Sequence, residues 1–302
     1  MMRTQRVYLL LALCVLFWSG NFIIGRFIST TVEPLELAFF RWIFVVILLI
    51  PAFFIIDIKK VVSIFKKNFI LLSFLSLLGI TLFNTLLYIA LQTTTATNAL
   101  LINSIVPILI LVLSFFILKS RITKVQTIGI LLSTFGVIFL VLKGDIFNIF
   151  DIEFTTGDMW VLSSSISWAT YSVFVKFKPK ELSHLELFVI VVYVGTILFL
   201  IPWYLYQGYT LEHELEVLKN NWHFFVYVSV FPSLLSYYFW HTGIDEIGAE
   251  KTGQFTHLMP IFGSILAFVF LDETLKYFHM IGGILIAIGI YLSLFMKKKT
   301  SE

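Results

Sequence analysis

Apolar residues fill ten long runs along the chain, and short clusters of charged residues and glycine separate them. The runs are continuous rather than alternating, which favours helices and argues against a transmembrane β-barrel. A helix needs about 20 residues to cross a bilayer, and most of the runs approach that length. The pattern therefore predicts an all-α integral membrane protein with ten transmembrane helices, at about 7–27, 35–56, 69–91, 95–118, 124–142, 157–175, 185–205, 222–244, 250–271 and 277–296.

Composition strengthens this interpretation. Hydrophobic residues make up 59% of the 302 residues and charged residues only 13%, against roughly half and about a quarter in soluble domains. Arg3 and Arg6 resemble the start of a secretory signal, but the long first run lacks an A-x-A-like cleavage site, so we expect a retained helix. The single cysteine, Cys14, excludes an internal disulfide and a multi-cysteine zinc site, and we expect no metal and no cofactor.

The distribution of Lys and Arg predicts the orientation. Sixteen of the 21 basic residues fall on the side that would hold both termini, and four fall on the other side, whose loops are acidic. By the positive-inside rule both termini are cytoplasmic, in the inner membrane. The loops near 28–34, 144–156 and 206–221 would then be external, and those near 57–68 and 176–184 internal. The expected partners are the lipid bilayer and a small-molecule solute, not nucleic acid, and the protein would be a monomer or a homodimer.

The second half of the chain repeats the first at a nearly constant offset. The offset is 150 residues early in each half and 153 later, and it aligns Trp18 with Trp168, Leu35-Glu36-Leu37 with Leu185-Glu186-Leu187, Pro107 with Pro260, Gly129 with Gly282 and Gly136 with Gly289. We predict two five-helix repeats, 7–142 and 157–296, joined by a loop at 143–156. Five spans per repeat is an odd number, so the copies are inverted, with substrate held near the midplane between them.

These residues also carry a family resemblance that covers most of the chain. The stretches that resemble EamA-type transporters of the drug/metabolite transporter superfamily are Trp18-Ser19-Gly20-Asn21-Phe22, Phe40-Arg41-Trp42, Asn98 through Pro107 to Gly136, Gly157-Asp158, Trp168-Ala169, Pro260, and Leu271 to Leu275 followed by Gly282-Gly283. The resemblance implies a secondary transporter, usually an exporter of small metabolites, without an ATPase of its own. One departure is Lys119-Ser120-Arg121 after the fourth span, where the family often has an acidic residue and the second copy has Asp272-Glu273.

Polar and aromatic side chains inside the apolar runs are candidates for a substrate site. Such groups are costly when they face lipid, and they normally turn inward. We predict a central cavity with aromatic walls and a few hydrogen-bonding groups. Each residue also has a structural alternative, as an interfacial anchor or as a tie between helices. The candidates are Trp18, Asn21, Asn84, Tyr88, Asn103, Trp168, Tyr171, Tyr237, Trp240, His241 and His257.

Pro107 and Pro260 are hinge candidates. Proline inside a helix removes a backbone hydrogen bond, which frees the carbonyl groups of Asn103 and Thr256, and in hydrocarbon such a carbonyl needs a partner or a wet cavity. The equivalent positions predict paired kinks beside the cavity. The alternative is a packing kink whose freed carbonyl binds a nearby hydroxyl.

Arg41 lies about six residues into the second span, and Val191 occupies the equivalent place in the second half. It is a candidate substrate-binding residue, as a clamp for a carboxylate or phosphate. A structural arginine that snorkels or pairs with Glu36 or a carbonyl is the other interpretation, and the resemblance favours it because arginine is frequent at that place in the family.

Titratable groups restrict the function. No Asp or Glu lies in the middle of a predicted span, which disfavours proton–cation exchange through a buried carboxylate. His241 and His257 are the remaining proton carriers, although buried neutral histidines would serve only as hydrogen-bond partners. We expect an exporter or facilitator of small metabolites such as amino acids. A carrier or flippase for phosphorylated or lipid-linked sugars is the alternative, but it needs several cations where only Arg41 and Lys251 qualify. No catalytic residues are recognised, so we expect no enzyme.

Overall fold

The computed structural model describes residues 2–120, 123–151, 155–270 and 276–295, and the regular elements of these ranges are all helical. The first half contains α1 (Met2–Phe27), α2 (Pro34–Leu48), α3 (Ile58–Lys67), α4 (Phe69–Ser76), α5 (Phe83–Thr93), α6 (Ala96–Asn103), α7 (Val106–Ile117) and α8 (Lys124–Val141). The second half contains α9 (Thr156–Phe174), α10 (His184–Val194), α11 (Ile201–Gln207), α12 (Leu211–Ser229), α13 (Ser236–Ile247), α14 (Ala249–Gly253), α15 (Met259–Phe270) and α16 (Tyr277–Phe295).

Several of these helices join end to end through short segments with a different helical pitch. Wider π-helical segments link α4 to α5 (Leu77–Leu82), α10 to α11 (Gly195–Leu200) and α12 to α13 (Val230–Leu235). Tighter 3-10 segments are Ile50–Phe54, Ile146–Asp151, Val175–Phe177 and Gln254–Leu258. The first and third π segments are separated by the 153 residues of the sequence repeat. A π segment disrupts the regular backbone ladder and is frequent at functional sites.

Seven helical runs are long and apolar enough to cross a membrane, so this is a multi-pass membrane protein. They are Thr4–Phe27, Pro34–Phe54, Phe69–Thr93, Asn98–Ile117, Lys124–Val141, His184–Gln207 and Tyr277–Leu294. The predicted spans at 157–175, 222–244 and 250–271 do not meet the same criteria within the described ranges. Helix α9 is rich in serine, which lowers its hydropathy. Helix α15 ends at Phe270, because residues 271–275, which include Asp272-Glu273, lie outside the described part.

Contacts between the two halves come in matching pairs. Helix α1 packs on α13 and α5 packs on α9; α2 packs on α12 and α4 on α10; α1 packs on α15 and α7 on α9. The repeat relates the two contacts of each pair. For example, α1 corresponds to α9 and α13 to α5, so the contact of α1 with α13 corresponds to that of α9 with α5, as a two-fold relation between the halves requires. Because α1, α5, α9 and α13 all meet in this way, both halves contribute to the centre of the bundle.

Helices α8 and α16 pack closely through glycine. A Cβ atom added to Gly129 would lie 2.6 Å from the carbonyl oxygen of Gly289, and one added to Gly282 would lie 3.0 Å from that of Gly136. Small residues allow helix backbones to approach in this way in membranes. Gly129 and Gly136 of α8 therefore face Gly289 and Gly282 of α16, so both glycines of each repeat lie in the shared interface.

Two segments predicted as loops are partly helical, and this corrects their boundaries. The 57–68 segment contains α3, which Asp57 caps by accepting a hydrogen bond from the backbone N–H of Lys60. The 206–221 segment contains the start of α12, whose acidic first turn was interpreted as a break between spans although acidic residues stabilise a helix N-terminus. Helix α2 also ends earlier than predicted, at Leu48, before a 3-10 turn that includes Pro51.

Candidate functional site

Aromatic rings from α1, α9 and α13 meet at the centre of the bundle. The ring of Trp18 lies 5.0 Å from that of Trp168, edge to face, and 4.9 Å from that of Trp240. Trp168 also lies 5.3 Å from Tyr237. All four side chains are buried, and such arrangements are favourable beyond the area that they bury. The structure thus brings together the predicted aromatic residues of the two halves.

Each half places one hydrogen-bonded polar pair beside these rings. In the first half the Tyr88 hydroxyl donates to Oδ1 of Asn21 at 2.8 Å. In the second half the Tyr171 hydroxyl and Nε2 of His241 are 2.6 Å apart. Asn21 and Tyr171 are equivalent in the repeat, and so are Tyr88 and His241. The same polar contact therefore occurs twice, once in each half.

Arg41 is fully buried, and four of its five guanidinium N–H groups donate to protein acceptors. Its Nε donates to the Ser233 hydroxyl at 2.6 Å, and its Nη1 donates to the Tyr88 hydroxyl at 2.7 Å and to Asn21 at 3.2 Å. Its Nη2 donates to the carbonyl of Pro232 at 3.2 Å. These contacts favour the structural interpretation of Arg41, because its donors are engaged by protein groups. Its partners include a carbonyl, as expected, whereas Glu36 contacts the backbone N–H of Glu33 and the ring of His213.

The π segments supply carbonyl acceptors that the sequence analysis missed. The carbonyl of Pro232 accepts from the indole N–H of Trp18 at 2.9 Å, and the carbonyl of Gly79 accepts from the Tyr237 hydroxyl. Gly79 and Pro232 are 153 residues apart, so their equivalence was a usable signal. A Cβ atom on Gly79 would lie 2.6 Å from the ring of Tyr171, which explains why the smallest residue occupies this place.

A small cavity lies between α1, α5, α6, α9 and the start of α15. The volume open to a water-sized sphere is about 10 Å³, which is room for about one water molecule. The described residues therefore leave no room for a metabolite at this place. The lining combines the candidates Trp18, Asn21, Asn84, Asn103 and Trp168 with Phe22, Phe83, Leu87, Thr256 and Met259.

Some polar atoms at the centre have no hydrogen-bond partner among the described residues. They include Oδ1 of Asn84, the indole N–H of Trp168 and Nδ1 of His241, all buried. Unpaired buried polar groups are costly, and each such group needs an explanation. Asn84 and Trp168 line the cavity, so an acceptor and a donor without partners, both uncharged, belong to residues of its wall.

The other candidates lie around or away from this cavity. Tyr88, Tyr171, Tyr237, Trp240, His241 and Arg41 contact the lining residues or one another without lining the cavity themselves. His257 belongs to a separate network, in which Nδ1 is 2.7 Å from the Ser133 hydroxyl and Nε2 is 3.1 Å from the carbonyl oxygen of Ser104. Its ring therefore ties α8 to the break between α6 and α7.

Both hinge candidates occupy the second position of a helix that follows a break. Pro107 comes after the Ser104–Ile105 turn that separates α6 from α7. Pro260 comes after the 3-10 segment that separates α14 from α15. Proline is well tolerated in the first turn of a helix because the N–H that it lacks would be unpaired there. The two prolines thus start new helices at equivalent places in the halves, next to Asn103 and Met259 of the cavity wall.

Comparisons with known proteins agree with this architecture. The sequence profile described as the EamA-like transporter family matches the chain twice, at residues 5–142 and 155–295. An uncharacterized transporter of Bacillus subtilis, YyaM, is 28% identical over 291 residues, which covers 96% of this chain and 93% of that protein. An uncharacterized transporter of Archaeoglobus fulgidus is 29% identical and covers 96% and 97% of the two chains.

A solved crystal structure has a similar fold. It superposes with a TM-score of 0.72 at 17% sequence identity, and the match covers 97% of this chain and 99% of the other. At this identity the likeness concerns the fold alone. The fold of the whole chain is therefore one that has been observed experimentally.

Proposed function

The chain belongs to the EamA-like transporter family and is a membrane transporter, and from this premise we propose that it is a secondary transporter of small neutral or zwitterionic metabolites. Amino acids and similarly sized aromatic or amphipathic solutes are the proposed substrates. Export or facilitated diffusion is the proposed mode. The observation that carries the proposal is the uncharged pair of free polar atoms, Asn84 Oδ1 and Trp168 Nε1–H, in a central cavity with aromatic walls.

The proposed architecture is ten spans in two inverted repeats, 7–142 and 157–296, joined by 143–156. Three observations support it: the double match of the family profile, the π segments spaced by the repeat offset, and the matched packing of α1 on α13 and α5 on α9. We further propose that the protein lies in the cytoplasmic membrane with both termini inside, because this arrangement places most basic residues on the cytoplasmic side.

Substrate charge follows from the absence of a free cation at the lining. The described lining residues are all uncharged, and the donors of Arg41 are occupied by protein groups. A multiply charged phosphate would lose its hydration without gaining an ion pair, which is a large cost in a buried site. A zwitterion or neutral solute loses less hydration, and it can bind the amide oxygen of Asn84 and the indole N–H of Trp168.

Transport would proceed by alternating access around the closed centre. Pro107 and Pro260 are proposed hinges, because each begins a helix after a break and adjoins the cavity wall. Replacing both by alanine should leave a folded protein with a turnover several-fold slower, since the first helical turns would become continuous with the preceding segments. Unchanged turnover at equal expression would assign both prolines to packing.

The substrate class can be tested by uptake into proteoliposomes. The purified protein would be screened with amino acids, amines, nucleosides and sugar phosphates, each in the presence and absence of a proton gradient. We expect saturable uptake of neutral or zwitterionic solutes, and competition among them. Saturable uptake of a sugar phosphate that no amino acid or neutral metabolite inhibits would contradict the proposal and favour a carrier of phosphorylated sugars.

A further inference from the structure

The two halves are also joined by two equivalent polar contacts away from the centre. Lys60 donates to the Glu186 carboxylate at 2.9 Å, and Nε2 of His213 lies 2.6 Å from Oε1 of Glu36. Glu36 and Glu186 are related by the offset of 150, and Lys60 and His213 by that of 153. Each glutamate lies in the first turn of its helix, where its other oxygen accepts a backbone N–H. The repeat therefore builds the same cross-half contact twice.

The two contacts differ in where the positive charge comes from. Glu186 faces the permanent ammonium group of Lys60. Glu36, which is buried, faces a histidine whose side chain is 47% exposed and which is neutral or charged according to pH. Two further carboxylates, Glu33 and Glu214, lie at the same place, so the cluster holds three acidic groups and no permanent cation among its described members.

Glu214 adds negative charge that no cation balances among the described members of the cluster. Its carboxylate oxygens are inaccessible and face the hydroxyl group of Tyr204, which is a neutral donor and does not balance the charge. An inaccessible carboxylate is unfavourable unless a positive charge balances it. One oxygen of Glu214, one oxygen of Glu36 and a ring nitrogen of His213 all lie within 4.8 Å of one another.

We propose that Glu36, His213 and Glu214 bind a divalent transition-metal ion of the Zn²⁺ type, which supplies the positive charge that Lys60 supplies in the equivalent contact. Imidazole nitrogen and carboxylate oxygen are both zinc ligands, and three protein ligands leave the fourth tetrahedral position for water. The imidazole favours a transition metal over Ca²⁺ or Mg²⁺, which prefer oxygen ligands alone. Glu36 belongs to α2 and the other two ligands to α12, so the ion would clamp one half to the other.

Metal binding does not depend on the proposed transport function, but the effect of the clamp does. If alternating access separates α2 from α12 at this face, a bound ion would hold the face closed and slow transport. A proton on His213 competes with the metal for Nε2, so the affinity for metal should rise with pH. The proton-bound form would keep the His213–Glu36 contact without the metal.

The test is a calorimetric titration of the purified full-length protein with Zn²⁺ in detergent. We expect one Zn²⁺ per chain that excess Ca²⁺ does not displace. Glu214→Gln and His213→Asn should each weaken binding by at least about tenfold, since even second-shell changes have effects of that size. Glu212→Gln removes the same charge from the same helical turn outside the ligand set, and it should leave the affinity unchanged. Circular dichroism would verify that each variant is folded.

Co²⁺ provides a second readout, because its visible absorption reports the coordinating atoms, and the absorption should change in His213→Asn. Absence of Zn²⁺ binding, or equal binding by wild type and both ligand variants, would overturn the site and leave a cluster that binds protons only. Zn²⁺ should also slow transport in the wild type but not in Glu214→Gln. Binding without this inhibition would overturn the clamp, whereas absence of transport in every variant would count against the proposed function and leave the binding result intact.

Discussion

The polar pairs Asn21–Tyr88 and Tyr171–His241 occupy equivalent places in the two halves, but they have different surroundings. Arg41 binds both members of the first pair, whereas its equivalent position in the second half is Val191. In the second pair Nδ1 of His241 has no partner among the described residues. The difference shows how a duplicated contact can diverge. One copy is fixed by a buried charge, and the other has no such charge and retains an unpaired polar atom.

The largest effect is expected from removing the charge of the first pair. Arg41→Met keeps much of the side-chain volume but leaves the hydroxyl of Ser233 and its other acceptors without their donor, at about 1–3 kcal/mol for each group left unpaired. We expect a lower unfolding temperature, a lower yield of folded protein and loss of transport for every solute. The matched control is Arg26→Gln, which removes a partly exposed arginine that contacts a single carbonyl. Normal stability with loss of carboxylate solutes alone would instead make Arg41 an anion clamp.

The next effect concerns the aromatic wall. Trp168→Ala and Trp240→Ala should each cost about 3–5 kcal/mol of stability, as large aromatic truncations in cores do. Of these two residues, Trp168 lines the cavity and Trp240 does not. Truncation of Trp168 alone should therefore raise kcat/KM for bulky solutes relative to kcat/KM for small ones. Uptake of a large and a small amino acid by both variants measures this ratio. An equal shift in both variants would show that the two rings contribute alike to selectivity.

A smaller effect separates the two polar pairs directly. His241→Gln weakens the hydrogen bond to Tyr171, whose ring stacks on Trp168 of the cavity wall. Loss of that bond, at about 0.5–1.5 kcal/mol, should disturb the wall and raise KM by about twofold to tenfold. Tyr88→Phe changes the first pair, and it should lower the unfolding temperature while KM stays the same. Thermal unfolding and uptake kinetics of the two variants provide the measurement. The reverse outcome, in which Tyr88→Phe raises KM and His241→Gln does not, would exchange the roles of the pairs.

The smallest effect is a pH dependence away from the centre. The hydrogen bond to Glu36 raises the pKa of His213 above its ordinary value, and Tyr209 and the carboxylates of Glu33 and Glu214 also face the ring. The protonated ring therefore stabilises the fold below the ordinary pKa of about 6.5, and this contribution is lost as the pH rises through the raised value. Without divalent metal, the unfolding temperature should fall over that window. His213→Gln should remove this step, and persistence of the step would assign it to another group.

Much of the central arrangement could be predicted from the sequence. The repeat offset aligned Trp18 with Trp168 and Tyr88 with His241, and helical spacing placed these residues on inward faces. Arg41 was ambiguous because its partner Ser233 and the carbonyl of Pro232 belong to a π segment. Periodicity at 3.6 residues per turn does not reveal such a segment.

Contacts between residues that are distant in the sequence could not be predicted from the sequence pattern either. Glu212-His213-Glu214 was interpreted as a polar break, although it forms the first turn of α12. Its contact with Glu36 depends on how α12 packs against α2, which no local pattern specifies. His257 was grouped with the site because polar residues in apolar runs turn inward, but its ring binds Ser133 and the Ser104 carbonyl instead. Inward direction alone does not distinguish a cavity from a tie between helices.

The central claim is that solute binds in the cavity between Asn84 and Trp168, and protection of a single cysteine tests it most directly. In a Cys14→Ser background, Asn84→Cys would be exposed to a small thiol reagent in proteoliposomes with and without saturating solute. Ser63→Cys, at an exposed position of α3 between two spans, is the matched control. We predict that a transported solute slows the reaction at position 84 and not at position 63. Equal reaction rates at position 84, in a variant that still transports the solute, would contradict the account.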